Sequence, residues 1–220
     1  MFKSKETPMK LVVITNPYDI KFETDRINQM FREGLDELHI RKPKCDIETM
    51  RKFIQKIDAD FHHKIVLHSN YSLVNTFDIN KIHLPHNWKS NFATNFYLDY
   101  VLLKGKKVSR SMTIGGCRAL YKPIKGINEL VLGPVFARAS YTINNQQIPT
   151  EQLEKALRHS KLPVTALGGV TSQTLEFFKN VGFDAIAMQS GVWKMPDPVA
   201  AFIEIRDHYI ATQQKLRIAV

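Results

Sequence analysis

The chain has 220 residues, of which 44% are hydrophobic and 24% are charged, and its formal net charge is +10. These fractions are ordinary for a folded domain with a sizeable core, and they argue against a disordered chain and against a membrane protein. No apolar run approaches the roughly 20 residues that a membrane helix requires, and the first ten residues lack the apolar core of a secretory signal. Two cysteines are too few for a disulfide framework. We therefore expect a cytoplasmic protein.

The positive charge is spread along the chain. Its densest cluster, residues 104–107 with Arg110 beyond them, is short. Proteins that bind nucleic acid usually concentrate Lys and Arg on one face with interleaved aromatic residues. We therefore expect neither a nucleic-acid partner nor a membrane partner. An anionic small molecule would account for part of the charge, and a solvated basic surface for the rest.

Short β-rich runs alternate with longer amphipathic stretches, which is typical of a parallel sheet covered by helices. Residues 11–15 form a nearly continuous apolar run, as expected for a strand buried on both faces. The further predicted strands are 37–41, 64–68, 81–84, 106–112, 129–133, 163–167 and 184–188. The predicted helices are 22–34, 47–57 with Asp46 as N-cap, 72–77, 116–124, 150–159, 172–180 and 197–209.

Eight strand–helix units in this length predict one (β/α)₈ barrel domain over residues 1–220, with residues 1–10 as an N-terminal extension and residues 212–220 as a C-terminal tail. The alternative is an open doubly wound sheet, because alternation alone does not show closure. Residues 87–103 have no clean helical period and leave the fourth helix undefined.

Two glycine-containing loops follow the predicted seventh and eighth strands, where barrels commonly bind phosphate. Gly168 and Gly169 allow the backbone to approach an anion closely. Gln189 and Ser190, followed by Gly191, can supply further donors. The alternative is that the glycines only permit tight turns. Because the two loops follow adjacent strands, the sequence favours a phosphate site.

Further polar residues lie at other strand ends. His39 and Arg41 share one face of the second strand, and a packed barrel would not bury an unpartnered arginine, so Arg41 is expected to hold a charged substrate. After the sixth strand, Phe136 can wall a pocket. Arg138 and Ser140 can bind anionic oxygens, although a solvated Arg138 is equally compatible with the sequence.

Histidines also lie near the tops of the third and fourth strands and can act as acids or bases near neutral pH. His83, inside a strand, is expected to be a hydrogen-bonded barrel residue. His86, in the following loop, could be either catalytic or structural. A zinc site formed by His68 and His86 is not expected, since no carboxylate or cysteine joins them.

These segments, in their order and spacing, resemble the thiamine phosphate synthase family, which includes a thiazole tautomerase branch. The resemblance covers nearly the whole chain. It implies a synthase that joins hydroxymethylpyrimidine diphosphate to thiazole phosphate, releasing pyrophosphate with the help of Mg²⁺. The most specific segments are residues 133–136, 167–170 and 187–192, and the weaker ones are residues 39–41, 82–84 and 108–109.

The resemblance also implies residue roles. Gly169, Gln189 and Ser190 match the thiazole phosphate site, and Ser140 stands where a threonine helps to hold pyrophosphate. Arg41 and Ser109 match the arginine and the serine of the strand-two and strand-five motifs, and Lys42 and Lys44 flank the usual position of a lysine. The candidate catalytic residues are Arg41, Lys42, Lys44, Ser109 and His86. The candidate substrate-binding residues are His39, Phe136, Arg138, Ser140, Gly168, Gly169, Gln189 and Ser190.

The chain departs from the family pattern where Mg²⁺ would bind. Ser69 and Trp88 occupy the positions of the usual aspartates, so the sequence predicts no protein ligand for a metal. Ser111 occupies the position of the tautomerase histidine. Two alternatives to a synthase follow: a metal-independent isomerase that uses His39 or His86, and a non-catalytic binder of phosphorylated heterocycles. A homodimer is compatible with each of these functions.

Overall fold

Eight parallel strands close into a barrel in a computed structural model of the chain, which describes residues 8–88, 96, 98, 100, 106–136 and 148–218. Each strand pairs with the next along the chain, and the eighth pairs with the first. The (β/α)₈ prediction is confirmed, and the open sheet is excluded. The strands are β1 Lys10–Ile14, β2 Glu37–Ile40, β3 Ile65–Leu67, β4 Lys81–Leu84, β5 Ser109–Ile114, β6 Glu129–Leu132, β7 Val164–Leu167 and β8 Ala185–Met188.

Helices cover the outside of the barrel, and none of those described is long and apolar enough to cross a membrane. The predicted N-cap is confirmed, since the Asp46 carboxylate accepts hydrogen bonds from the backbone N–H groups of Glu48 and Thr49. The α-helices are α1 Glu23–Arg32, α2 Ile47–Gln55, α3 Thr150–His159, α4 Leu175–Val181, α5 Ser190–Trp193 and α6 Pro198–Ile218. Shorter 3₁₀ helices span Ala59–Lys64, Tyr71–Asn75 and Cys117–Tyr121.

Some elements differ from the sequence predictions. The segment after β5 forms one short 3₁₀ helix rather than a helix over residues 116–124. The four-residue α5 was not predicted, and α6 continues past Tyr209 to Ile218. These differences are confined to the helices and leave the strand order unchanged.

The barrel wall separates two environments. Outward-facing strand residues such as Leu11 and Val13 join the large apolar core beneath the helices. Val12 and Ile14 face inward and form a small second cluster with Ala185 and Ala187. Near the beginnings of β2, β4, β6 and β7 the strands instead carry polar contacts.

Two buried polar contacts cross this interior near the beginnings of the strands. The Glu37 carboxylate on β2 pairs with Lys81 on β4. The Thr165 hydroxyl on β7 donates to Glu129 on β6 at 2.6 Å. Because buried polar groups are tolerated only when they are hydrogen-bonded, these pairs allow a polar layer below the site.

Strand β5 corrects one prediction. It spans Ser109–Ile114 rather than residues 106–112, and Ser109 is its exposed first residue, paired with Lys81 at the start of β4. Active sites of (β/α)₈ barrels form at the C-terminal ends of the strands. Ser109, a candidate catalytic residue, therefore lies at the opposite end of the barrel from that site.

Candidate functional site

A cavity of about 510 Å³ opens at the C-terminal ends of the strands. It contacts residues that follow or end most of the strands, which is where barrel enzymes bind their substrates. Five predicted site residues contribute to its wall: His39, Arg41, Lys42, His86 and Gln189. Its other described lining residues are Ile14, Pro43, His68, Ser69, His83, Leu84, Pro85, Thr113, Val131, Leu167 and Ala187.

The glycine loops lie at one side of this cavity, directly after the lining residues Leu167 and Gln189. Gly168 and Gly169 have φ angles of +99° and +77°, a backbone conformation that favours glycine. A Cβ atom on Gly169 would lie 2.6 Å from the Cβ of Phe136. The loop after β7 therefore requires glycine for both conformation and space.

The two loops also touch each other. A Cβ atom on Gly191 would lie 2.5 Å from the backbone oxygen of Val170. The Thr174 hydroxyl donates to the Gly169 carbonyl at 2.6 Å and so fixes the first loop. Trp193 of α5 donates to the Ile14 carbonyl at 2.8 Å and ties the second loop to β1. The result is a rigid pair of backbone turns beside the cavity, a geometry suited to an anion.

Gln189 has a structural contact of its own. Its side-chain amide donates to the backbone oxygen of Thr15 at 3.2 Å. The Thr15 hydroxyl in turn accepts from the backbone N–H of Arg41 at 2.9 Å. Gln189, Thr15 and Arg41 therefore link the ends of β8, β1 and β2, and they position Arg41 at the cavity.

The predicted cations differ in their availability. Arg41 and His86 are exposed and line the cavity. Lys44 is exposed but is not among the described lining residues. Lys42 is buried, and its ammonium group donates to Glu23 at 2.6 Å and to the Tyr18 carbonyl at 2.9 Å. Lys42 therefore contributes to the cavity wall, but its charge is already paired with Glu23 inside the protein.

Three histidines meet on the β2–β4 side of the cavity. His39 lies on β2, His68 directly follows β3, and His83 lies on β4. His39 Nδ1 is 3.0 Å from His68 Nε2. The rings of His68 and His83 stack with their centroids 4.2 Å apart. Three ring nitrogens, one from each histidine, lie within 4.8 Å of one another.

Each end of this histidine cluster has polar contacts. His39 Nε2 lies 3.0 Å from Glu37 Oε1. The two nitrogens of His83 contact the hydroxyls of Ser111 at 2.9 Å and Thr113 at 3.0 Å. The prediction that His83 is a hydrogen-bonded barrel residue is confirmed, although it also belongs to a cluster that the sequence did not reveal.

Burial sets the charge of these groups. It lowers the pKa of His83 to about 3, with the neighbouring His39 and Arg41 charges acting in the same direction. Burial also lowers the pKa of His68 well below its ordinary value, assisted by His83 and His39. For Glu37, burial alone would raise the pKa, but the hydrogen bond from His39 and the nearby charges of His39 and Lys81 lower it to about 2. Near neutral pH, His68 and His83 are therefore neutral and Glu37 is ionised.

Comparison with known proteins places this barrel in a family. The model of a family described as thiamine monophosphate synthase matches residues 11–192. The chain belongs to the thiamine monophosphate synthase family. A thiamine-phosphate synthase from Lactococcus lactis subsp. lactis (strain IL1403) is 21% identical over 199 residues, covering 86% of this chain and 90% of the relative.

Solved structures agree on the fold. A thiamine phosphate pyrophosphorylase from Pyrococcus furiosus superimposes with a TM-score of 0.72 at 19% identity, over 92% of this chain and 96% of that one. The corresponding protein from Bacteroides thetaiotaomicron gives 0.69 at 21% identity, over 91% of this chain and 97% of that one. The resemblance seen in the short motifs is thus confirmed for the family and for the architecture.

The Mg²⁺ implied by this family does not fit the described cavity. Ser69 and Trp88 replace the expected aspartates, and no carboxylate is among the described lining residues. Among the undescribed residues between positions 89 and 147, the sequence has one carboxylate, Asp99. Oxygen anions are the usual protein ligands of Mg²⁺. The Oγ atom of Ser69 is buried and has no hydrogen-bond partner among the described residues, so it is available to a bound ligand.

Of the substrate-binding residues predicted after strand six, the structure describes one, Phe136. Phe136 is fully buried against Phe177 and Phe178 and does not line the described cavity, so the predicted pocket wall is wrong. Its side chain instead packs next to Gly169, with its ring against Phe177 and Phe178 of α4. Arg138 and Ser140 lie outside the described residues, and their roles stay predictions.

Proposed function

We propose that this protein joins hydroxymethylpyrimidine diphosphate to thiazole phosphate and releases pyrophosphate, as its membership of the family suggests. The observation that carries the proposal is a single cavity with two chemically different sides. The glycine loops adjoin one side, and the exposed Arg41 and His86 line another. Apolar side chains of Ile14 and Val131 also contribute to the wall. Such a cavity suits two phosphorylated heterocycles.

The chemistry requires stabilisation of a departing anion. When the bond between the two heterocycles forms, the bond to pyrophosphate breaks and its electron pair leaves with the oxygen. A fixed cation at that oxygen favours the transition state over the ground state. Arg41 is the described cation best placed to do this, because its backbone is held by Thr15 and its side chain reaches the cavity. The glycine loops would hold the thiazole phosphate, so that binding orients the two reactants.

Replacing Arg41 tests this proposal. We expect Arg41→Gln to lower kcat/KM for thiamine phosphate formation by about 10²–10³-fold, the usual effect of removing one group that stabilises a transition-state charge. The exposed Arg118, which is not among the described lining residues, provides the matched control Arg118→Gln, with activity near wild type. Absence of product from the wild-type protein, with and without Mg²⁺, would reject the synthase.

A metal-independent isomerase is the second candidate, favoured by the cavity's histidines and by its lack of described carboxylate ligands. Such an enzyme needs one group to move a proton. We expect the combined change His39→Gln and His86→Gln to abolish isomerisation of a thiazole phosphate, measured by NMR. Unchanged isomerisation would exclude this mechanism.

A third candidate function and three further predictions, on the ligand, the oligomeric state and the location, complete the proposal. Tight thiazole phosphate binding without turnover in either assay would indicate a non-catalytic binder. The phosphorylated ligand is supported by the glycine loops and by the family. The homodimer and the cytoplasmic location stay predictions.

A further inference from the structure

The histidine cluster brings together nitrogen ligands from three adjacent strands. The β2–β3 and β3–β4 pairings align His39 with Val66, and Leu67 with Ile82. His68 follows Leu67 directly and His83 follows Ile82, so these two residues are level in the barrel. His39 is aligned two residues below His68, and its Nδ1 atom bridges the difference by lying 3.0 Å from His68 Nε2. Closed strand pairing, rather than a flexible loop, holds two of them in place.

The spacing of the nitrogens approaches that of a zinc site. Zinc binds imidazole nitrogen at about 2.0–2.1 Å in tetrahedral geometry, which puts two ligating nitrogens about 3.3 Å apart. His39 Nδ1 and His68 Nε2 are 3.0 Å apart, and the three candidate ligand atoms lie within 4.8 Å of one another. A rotation of the His83 ring would bring its nitrogen closer to the other two. In this rotation His83 would lose one of its hydroxyl contacts and bind the ion instead.

The surroundings resemble the outer contacts of metal-bound histidines. Such a histidine usually donates its second ring N–H to a carboxylate or another acceptor, which fixes the ring and its tautomer. Glu37 offers this contact to His39 Nε2, leaving Nδ1 directed at His68. Ser111 and Thr113 offer hydroxyl contacts to His83, of which one suffices to orient the ring.

The cluster is also open on one side. All three histidines line the cavity, together with Ser69, whose hydroxyl has no hydrogen-bond partner in the part of the chain that the structure describes. Three histidine ligands and one open position are typical of catalytic zinc sites rather than closed structural ones. Imidazole ligands suit zinc and neighbouring transition metals, whereas Mg²⁺ prefers oxygen.

We propose that His39, His68 and His83 form a binding site for one divalent transition-metal ion of the zinc class, with its fourth position facing the cavity. The fourth ligand is water or an oxygen atom of an anionic ligand. This metal site stands on the geometry of the cluster and does not depend on the synthase reaction.

Cobalt titration tests the site without any substrate. Untagged protein is stripped with a chelator, dialysed and titrated with Co²⁺, whose visible absorption reports tetrahedral coordination. We expect bands that saturate at one Co²⁺ per chain, that disappear when Zn²⁺ is added and that are unaffected by excess Mg²⁺. We also expect Zn²⁺ to raise the Tm of the wild-type protein.

Variants assign the ligands. We expect His68→Gln to remove both the Co²⁺ bands and the Zn²⁺-dependent rise in Tm. We expect Glu37→Gln to weaken binding by roughly 10–100-fold, as for other outer contacts of metal ligands. His63→Gln, at an exposed histidine on the 3₁₀ helix Ala59–Lys64, should behave as wild type. Circular dichroism verifies that each variant is folded.

Two results would overturn the proposal. One is a folded wild-type protein that gives no tetrahedral Co²⁺ bands and no Zn²⁺-dependent change in Tm. The other is a set of bands that persists in folded His68→Gln. In either case the histidines would serve only as a hydrogen-bonded support between strands, and the synthase assay would be unaffected by that conclusion.

Discussion

Lys42→Met should lower the free energy of unfolding by about 3–5 kcal/mol, the usual cost of removing one partner from a buried ion pair. Lys42 and Glu23 are 96–97% buried, with their charged atoms 2.6 Å apart. Burial raises the pKa of Glu23, against the opposing hydrogen bond and charge of Lys42. Without Lys42, the Glu23 carboxylate would stay buried without its counter-charge, keeping the hydrogen bond from the Asn16 backbone N–H. Urea unfolding near neutral pH measures the effect.

The sign of the pH dependence follows from the same pair. A carboxyl group whose pKa is raised in the folded state destabilises the fold at pH values above its unfolded pKa, and this cost disappears as it becomes protonated. Removing Lys42 takes away the interactions that lower the Glu23 pKa. The stability difference between Lys42→Met and wild type should therefore shrink as the pH falls toward 4.5, the ordinary pKa of Glu23.

The double variant Glu23→Gln with Lys42→Met separates a structural from a catalytic lysine. Replacing both charges removes the unpaired carboxylate, so most of the lost stability should return. If Lys42 acts only in this pair, any synthase activity lost in Lys42→Met should return together with the stability in the double variant. Restored stability with activity still absent would support the catalytic role predicted for Lys42.

A different result in the single variant would contradict the buried pairing. A loss of unfolding free energy below about 1 kcal/mol in Lys42→Met is typical of an exposed ion pair.

Gly191→Ala should separate the two glycine loops, which are predicted to bind the phosphate. Its Cβ atom would lie 2.5 Å from the Val170 carbonyl, which belongs to the backbone and cannot rotate away. Overpacking of this kind typically costs about 1–3 kcal/mol. A displacement of about 1 Å at a binding group can lower the reaction rate about 10²-fold. We therefore expect kcat/KM to fall by about that factor, together with weaker thiazole phosphate binding in calorimetry.

Gly116→Ala is the matched control for this substitution. Gly116 has an extended backbone, with φ −167°, and a Cβ atom there would meet nothing within 4 Å. Its stability and kcat/KM should stay near wild type. Equal activity in Gly191→Ala and Gly116→Ala would show that contact between the loops does not position the phosphate.

The architecture was predictable because strands buried on both faces produce short apolar runs at regular intervals, as in Leu11–Ile14. Strand β5 was displaced in the prediction for a physical reason. Its Ser111 and Thr113 hydroxyls face His83, so its inner face is polar and its apolar pattern is weak. Closure of the sheet is a tertiary property and could not be read from alternation alone.

The site was predictable where one residue type is required by the backbone. Gly169 has both a positive φ and no room for a side chain, so the requirement for glycine there is visible in the sequence, while its phosphate-binding role stays a prediction. The histidine cluster was missed because its members come from three strands and were considered singly. In both β2 and β4 a charged residue stands two positions before a histidine, on the same face of the strand: Glu37 before His39, and Lys81 before His83. This repeated pattern was the signal available in the sequence. Phe136 was predicted wrongly because an aromatic residue at the end of a strand can pack into the hydrophobic core as easily as it can line a pocket.

A crystal structure of the protein with thiazole phosphate tests the central claim most directly. The phosphate should lie against the backbone N–H groups of the loops containing Gly168–Gly169 and Ser190–Gly191, with the ring inside the cavity toward Arg41. A phosphate bound at Arg41 instead, with no density at the glycine loops, would contradict the assignment of the anion site.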